Sequence, residues 1–284
     1  MHFCSDIPPL RAWRAQVRHA SQRVALVPTM GALHQGHLAL VALARQLADR
    51  VVLSVFVNPL QFGPTEDLAR YPRDLERDRR LAEEAGVDLL FAPSVDIMYP
   101  PGSEIRVHAG PVATRWEGAV RPGHFDGVLT VVTKLFHLVE PEVAVFGQKD
   151  IQQATLIRRL VRDLDLPVAI AVGPTVREGD GLALSSRNAY LSVPERQDGL
   201  GLIRALRAAA RRWSEGEHRP DRLAAVIGDT LKGFPGLRSD YIAIVDPERL
   251  EPVTEVKAGT IIALAGRVGS TRLIDNHILG PELP

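Results

Sequence analysis

Between residues 24 and 172, short runs of β-branched and apolar residues alternate with stretches whose apolar residues recur at helical spacing. A chain written this way builds βαβ units, because parallel strands need a crossover between them and a helix is the usual one. Residues 24–27 read as the first strand, stopped by Pro28, and residues 36–49 carry Leu38, Val41, Ala42, Ala44, Leu47 and Ala48 on a helical stripe. Residues 51–57 form a nearly unbroken apolar run, the mark of a strand covered on both faces, and Asn58-Pro59 punctuates its end. Residues 60–72 read as loop. The pattern continues with a charged helix at 74–85 closed by Gly86, strands at 88–91 and 143–146, a helix at 151–164 and an extended segment at 168–172. Residues 125–139 are rich in valine, yet Val128, Val131, Val132, Leu135, Phe136 and Val139 share one helical face, and the spacing predicts a helix.

Beyond residue 175 the pattern changes to a loop at 177–192, helices at 194–213 and 220–233, and extended segments at 241–245, 260–265 and 271–275. The expected fold is therefore α/β: a Rossmann-like parallel sheet domain at 1–175, followed by a smaller α+β C-terminal domain at 176–284. A length of 284 residues suits two domains of roughly 100–200 residues each. The 34 basic residues balance 34 acidic ones, which removes the broad positive field of a nucleic-acid binder, so no nucleic-acid partner is expected. No apolar run approaches the roughly 18 residues of a membrane span. The single cysteine, Cys4, allows no intrachain disulfide, and residues 1–20 interleave charges and prolines without an apolar signal-peptide core. A cytoplasmic location is the expectation.

Ligands of open parallel sheets sit beyond the carboxyl ends of the strands, where helix N-termini offer N–H groups to anions. Four constellations fall at such places. The first is Pro28-Thr29-Met30-Gly31-Ala32-Leu33-His34-Gln35-Gly36-His37, with two histidines in a strand-to-helix turn and glycines that let backbone approach a phosphate. Two histidines are short of the three or four ligands a zinc site takes. The second is Gly147-Gln148-Lys149-Asp150 with Gln153, where a lysine just past a strand can reach a phosphate and Asp150 can cap the next helix. The third, Arg177-Glu178-Gly179-Asp180-Gly181-Leu182-Ala183-Leu184-Ser185-Ser186-Arg187-Asn188, can close over a polyphosphate through hydroxyls and the forked donors of Arg187. The fourth, Asn58-Pro59-Leu60-Gln61-Phe62-Gly63, offers amides to a small polar substrate. Each has a plainer reading alone: satisfied histidines, a solvated lysine, a linker, a turn.

Taken in order, the first constellation, Phe56-Val57-Asn58-Pro59-Leu60-Gln61-Phe62-Gly63, Tyr71-Pro72-Arg73, Arg121-Pro122-Gly123-His124-Phe125-Asp126-Gly127-Val128, residues 146–150 and residues 174–188 resemble the pantothenate synthetase family. His34-Gln35-Gly36-His37 is similar to the HxGH element of the nucleotidyltransferase superfamily. The resemblance implies condensation of (R)-pantoate with β-alanine using ATP and Mg2+, through a pantoyl adenylate, with release of AMP and pyrophosphate. It implies a homodimer in pantothenate and coenzyme A biosynthesis, with the C-terminal domain covering the active site. By this likeness the ATP site comprises Met30, Gly31, Ala32, Leu33, His34, Gln35, Gly36, His37, Gly147, Gln148, Lys149, Asp150, Val176, Leu184, Ser185, Ser186 and Arg187. Gln61 and Gln153 would hold pantoate, and His34, His37, Lys149 and Arg187 would be the catalytic groups, with His37 as proton donor. Asp78 is a candidate for magnesium or for a structural contact. Leu184 stands where the family usually has methionine, an apolar exchange of similar volume. Gln148 stands where glutamate is frequent, a change of little consequence if the backbone there faces ATP.

The nearest alternative is a nucleotidyltransferase that keeps AMP on its product. An aminoacyl-tRNA-synthetase-like protein would also carry His34-Gln35-Gly36-His37 and Ser185-Ser186-Arg187, but zero net charge and the absence of room for an RNA-reading domain argue against it. A silent nucleotide sensor would bind ATP without turnover, although every polar position of the motif is present.

Overall fold

The computed structural model describes residues 1–64 and 66–280. The chain forms two compact units, one of Met1–Gly147 with Leu156–Pro174, the other of Gln148–Thr155 with the chain from Thr175 onward. The sequence places a boundary at 175; the structure adds an excursion, since Gln148–Thr155 groups with the later residues.

In the first unit the elements run β1 (His2–Cys4), α1 (Ile7–His19), β2 (Val24–Thr29), α2 (Gln35–Leu47), β3 (Arg50–Val55), α3 (Leu75–Glu84), β4 (Leu89–Phe91), α4 (Val95–Met98), α5 (Glu117–Val120), α6 (His124–Val139) and β5 (Val143–Gly147). Helix α7 (Ile151–Asp163) then leads to β6 (Ala169–Gly173). The six strands form one parallel sheet in the order β1-β4-β3-β2-β5-β6. Without β1 this is the 3-2-1-4-5 order of a Rossmann sheet, with the direction of winding reversing between β2 and β5. The middle strands are buried on both faces: Val24, Ala25, Leu26 and Val27 have no exposed surface. One face packs Ala25, Val27, Leu53, Leu90 and Val145 against Val41 and Ala44 of α2 and Ala82 of α3.

The sheet begins at β1, whose three residues are too short a run to show a period of two. Pro28 does not stop the first predicted strand but lies inside β2, opposite Ser54 of β3. Proline lacks an N–H, and the geometry makes that harmless. The carbonyl of Thr29 accepts from Phe56, so Thr29 faces β3 and Pro28 faces the β5 side, where pairing has already ended at Leu26. The valine-rich segment at 125–139 is the helix α6, as its periodicity requires.

The second unit holds α8 (Val193–Gly199), α9 (Gly201–Ser214), α10 (Pro220–Leu231) and an antiparallel sheet of β7 (Leu237–Val245), β8 (Ile261–Val268) and β9 (Thr271–Ile278). Its core joins Leu202, Ile203 and Leu206 of α9 and Leu223 and Ile227 of α10 to Ile262, Leu264 and Leu273 of the sheet. The single helix expected at 194–213 is two helices that break at Leu200. Glycines flank the break, and a Cβ on Gly201 would stand 2.8 Å from the ring of Phe234. No helix among the described residues is long and apolar enough to cross a membrane.

Candidate active site

The turn after β2 is strained and pinned. Gly31 (φ +81°) and Ala32 (φ +51°) are both left-handed, and a Cβ on Gly31 would lie 2.8 Å from Asp78 Oδ2 and 2.9 Å from Val55 Cγ1. An alanine held left-handed needs outside support. Asp78 of α3 provides it: one carboxylate oxygen accepts from Ala32 N–H at 2.8 Å and the other from Leu33 N–H at 2.7 Å, while Arg77 donates to the carbonyl of Leu33 at 3.0 Å. Burial raises the pKa of the Asp78 carboxyl and the two backbone bonds oppose that shift. Its side chain makes the structural contact that the sequence offered beside the magnesium role.

The pinned turn delivers His34 as the N-cap of α2 and His37 one turn in, with their rings stacked at 4.0 Å. The cap makes no side-chain bond to the helix, and helix geometry gives the N–H groups of Gln35 and Gly36 no intrahelical acceptor. The result is a positive helix terminus carrying two imidazoles at the point where the strand order reverses, a place suited to an anion. Met30 and Asp78 also border a cavity of about 260 Å³ with Val57, Arg73, Pro93 and Val95, at the carboxyl ends of β2, β3 and β4.

Gln61 ends a short 3-10 helix (Pro59–Gln61) capped by Asn58. The sequence offers the Asn58 amide, like that of Gln61, to a small polar substrate; the structure engages it in internal bonds instead. Asn58 Nδ2 donates to Gln61 Oε1 at 3.1 Å and to the Gly127 carbonyl at 3.0 Å, and Gln61 Nε2 points to the Met30 sulfur at 3.2 Å. The Gln61 carbonyl is bonded by His124 Nδ1 at 2.8 Å and by Arg121 at 3.2 Å. Burial, helped by the charge of Arg121, lowers the pKa of His124 to about 4. Gly127 is required for this contact, since any Cβ there would run into the carbonyl of Leu60.

In the second unit, Gln148, Lys149 and Asp150 form a 3-10 turn held by Asn276 of β9. Asn276 Nδ2 donates to the carbonyls of Gln148 and Lys149, both at 2.9 Å, and Gln148 Nε2 donates to Asn276 Oδ1 at 3.3 Å. The Gln148 side chain thus has a partner of its own, which a glutamate could not satisfy in the same way. Next to Asn276, Asp275 is paired with Arg177 through two bonds of 2.7 and 3.0 Å. Burial raises the Asp275 pKa against the pull of Arg177, with Lys149 adding to that pull. Gln153 lies half-buried in the first turn of α7.

The loop expected at 177–192 has more order than the sequence suggests. Leu184 N–H donates to the Val176 carbonyl at 3.0 Å and Arg177 bridges Ala183, so Val176 and Leu184 are partners across a short ribbon. Ser185 then caps a 3-10 helix (Ser186–Tyr190) by accepting from Arg187 N–H at 3.3 Å. Asn188 ties this helix back to Glu178 and Ala183, and Arg196 bridges Glu178 and Asp180. Ser186 and Arg187 are half-buried on it. Asn58, Tyr99 and His124 around Gln61, and Asn276 beneath Lys149, are the supports that the sequence did not reveal as such. Asn58 and His124 lie in motifs, whereas Tyr99 and Asn276 carry no local signal.

A Rossmann-ordered sheet with an anion-suited helix terminus at its switch point defines a nucleotide-binding α/β protein. The model of one family, described as pantoate-beta-alanine ligase, matches residues 2–278. A pantothenate synthetase of Syntrophotalea carbinolica is 48% identical over 283 residues, covering 100% of both chains. Crystallised pantothenate synthetase of Thermus thermophilus superposes with a TM-score of 0.94 at 52% identity, over 99% of this chain and 100% of that one. Pantoate-beta-alanine ligase of Francisella tularensis, crystallised with β,γ ATP and β-alanine, aligns with a TM-score of 0.81 at 34% identity over 98% of this chain and 97% of that one. The chain belongs to the pantoate–β-alanine ligase family, enzymes that join those two substrates through a carbon–nitrogen bond.

Proposed function

We propose that the chain makes pantothenate in two steps at one site. The carboxylate of (R)-pantoate attacks the α-phosphorus of ATP, forming the mixed anhydride pantoyl adenylate and expelling pyrophosphate. The amine of β-alanine then attacks the acyl carbon, forming the amide and releasing AMP. The observation that carries this reading is the pinned turn that sets His34 and His37 on the N-terminus of α2.

In the first step negative charge grows on the α-phosphoryl oxygens and the departing pyrophosphate, so placed positive charge is what catalysis requires. His34, His37, Lys149 and Arg187 supply it in this reading, with His37 donating to the bridging or leaving oxygen. The N–H groups of residues 35–36 and the backbone of residues 147–150 receive phosphates, Val176 and Leu184 pack on adenine, and Gln61 and Gln153 hold pantoate. In this reading the first domain carries ATP and pantoate. Magnesium enters with the phosphates of ATP: among the described residues no group of three or more His, Cys, Asp or Glu could hold a metal ion, and both Asp78 oxygens already accept backbone N–H groups. Asp78 acts here as a positioning residue for the turn at residues 31–33. A homodimer working in the cytoplasm completes it.

Pyrophosphate–ATP exchange tests the reading. Exchange that needs pantoate but not β-alanine is expected, with AMP appearing once β-alanine is added. Exchange indifferent to pantoate, or a stable adenylyl product with no AMP released, would overturn it.

A further inference from the structure

The two ends of the Gln61 amide meet unequal partners. Its Oε1 accepts from Asn58, while its Nε2, among the described residues, points only to the Met30 thioether, at 3.2 Å. A thioether is a weak acceptor, so that N–H group keeps its bonding capacity for an oxygen brought to the same side. Backbone partners show which end of the Asn58 amide is which. Leu60 N–H can only donate, and it meets Asn58 Oδ1 at 3.3 Å; the Gly127 carbonyl can only accept, and it meets Asn58 Nδ2 at 3.0 Å. Asn58 therefore turns its nitrogen towards Gln61, and Gln61 answers with its oxygen.

Tyr99 completes the relay from 41 residues away: its hydroxyl donates to Asn58 Oδ1 at 2.9 Å, a shorter bond than the one from Leu60. The ring rests tilted on Phe56, with centroids 5.9 Å apart. Arg106 and Lys134 lie 5.6 and 5.7 Å from the Tyr99 ring centroid, and Lys134 also bonds the carbonyl of Met98. Positive charge over the ring draws electron density from the hydroxyl and makes it a better donor. Burial pushes the phenol pKa up to about 12, so the proton stays on at neutral pH.

We propose that Tyr99 is a positioning residue for pantoate: through Asn58 it holds Gln61 with an N–H donor towards the substrate, so that this subsite takes an acceptor oxygen of the hydroxy acid. The proposal rests on the assignment of Gln61 to pantoate made above. It gives Tyr99 no contact with ATP or β-alanine.

Steady-state kinetics of Tyr99→Phe, Gln61→Ala, Gln61→Glu and the Tyr99→Phe/Gln61→Ala double variant, with pantoate and ATP varied separately, test it. Loss of one hydrogen bond should raise the pantoate KM of Tyr99→Phe by about tenfold, with the ATP KM unchanged. In the Gln61→Ala background the same substitution should add nothing, because the relay then has no end. Gln61→Glu, which swaps the donor for a charged acceptor, should bind pantoate worse than Gln61→Ala. A normal pantoate KM in Tyr99→Phe beside a raised one in Gln61→Ala overturns the role of Tyr99 and leaves that of Gln61. A normal pantoate KM in Gln61→Ala overturns both. A Tyr99→Phe penalty that persists in full without Gln61, or that falls equally on ATP, overturns the relay.

Discussion

His124 has to stay neutral for the turn at residues 58–61 to keep its shape. Arg121 bonds its Nε2 and the Gln61 carbonyl faces its Nδ1, so the ring fits as an acceptor on one side and a donor on the other. A proton on Nε2 would remove that acceptor and set a cation against the guanidinium. The folded pKa of about 4 lies below the usual 6.5, so between those values the unfolded chain binds more protons. Stability from this residue is complete above pH 6.5 and is lost as the pH falls towards 4. Between pH 7 and pH 5 the loss should be about 2 kcal/mol, and His124→Asn should flatten that part of the slope in urea unfolding at the two pH values. His277, also lowered to about 4 by burial, acts in the same direction. Removing one placed donor costs roughly 2.7–4 kcal/mol, so His37→Ala or Lys149→Ala should slow adenylate formation about 100- to 1,000-fold in a single-turnover quench. A variant that forms adenylate at the normal rate would remove that residue from the clamp.

At the scale of elements, α6 and the 3-10 helix at Pro59–Gln61 are fitted so closely that only glycine can stand at residue 127. Gly127→Ala must push the turn off the helix. A cost of about 1–3 kcal/mol is expected, with a raised pantoate KM as Gln61 moves; urea unfolding and kinetics on the same preparation check both. Wild-type values in both would mean that the turn shifts freely. Local pattern carried these elements unevenly. The stripe Val128, Val131, Val132, Leu135 and Val139 was enough to read α6 as helix against its valine content. Pro28 misled, because a proline reads as a stop unless one knows which side of the strand its missing N–H faces. The break at Leu200 was missed although Gly199 and Gly201 flank it, because what keeps those positions free of a side chain is the packing of Leu273 and Phe234.

Across the whole molecule, the buried pair of Arg177 and Asp275 links the ribbon at residues 176–184 to β9. Removing one partner of such a pair leaves a buried charge, at a cost of about 3–5 kcal/mol. Asp275→Ala should therefore speed hydrogen exchange in β7, β8 and β9 while amides of β2, β3 and β5 keep their protection, because the two cores are built from separate residues. Uniform loss across both sheets would refute that independence. Hydrophobic period and strand-end chemistry are local properties, so the parallel sheet, the motif residues at the ends of its strands and, with them, the family were legible along the chain. Tertiary structure alone decided which groups brace those motifs: Asp78 under Ala32 and Leu33, Tyr99 on Asn58 behind Gln61, Asn276 beneath Lys149. These bonds join residues 41 to 127 positions apart, and a hydrogen bond over that separation leaves no periodicity to read.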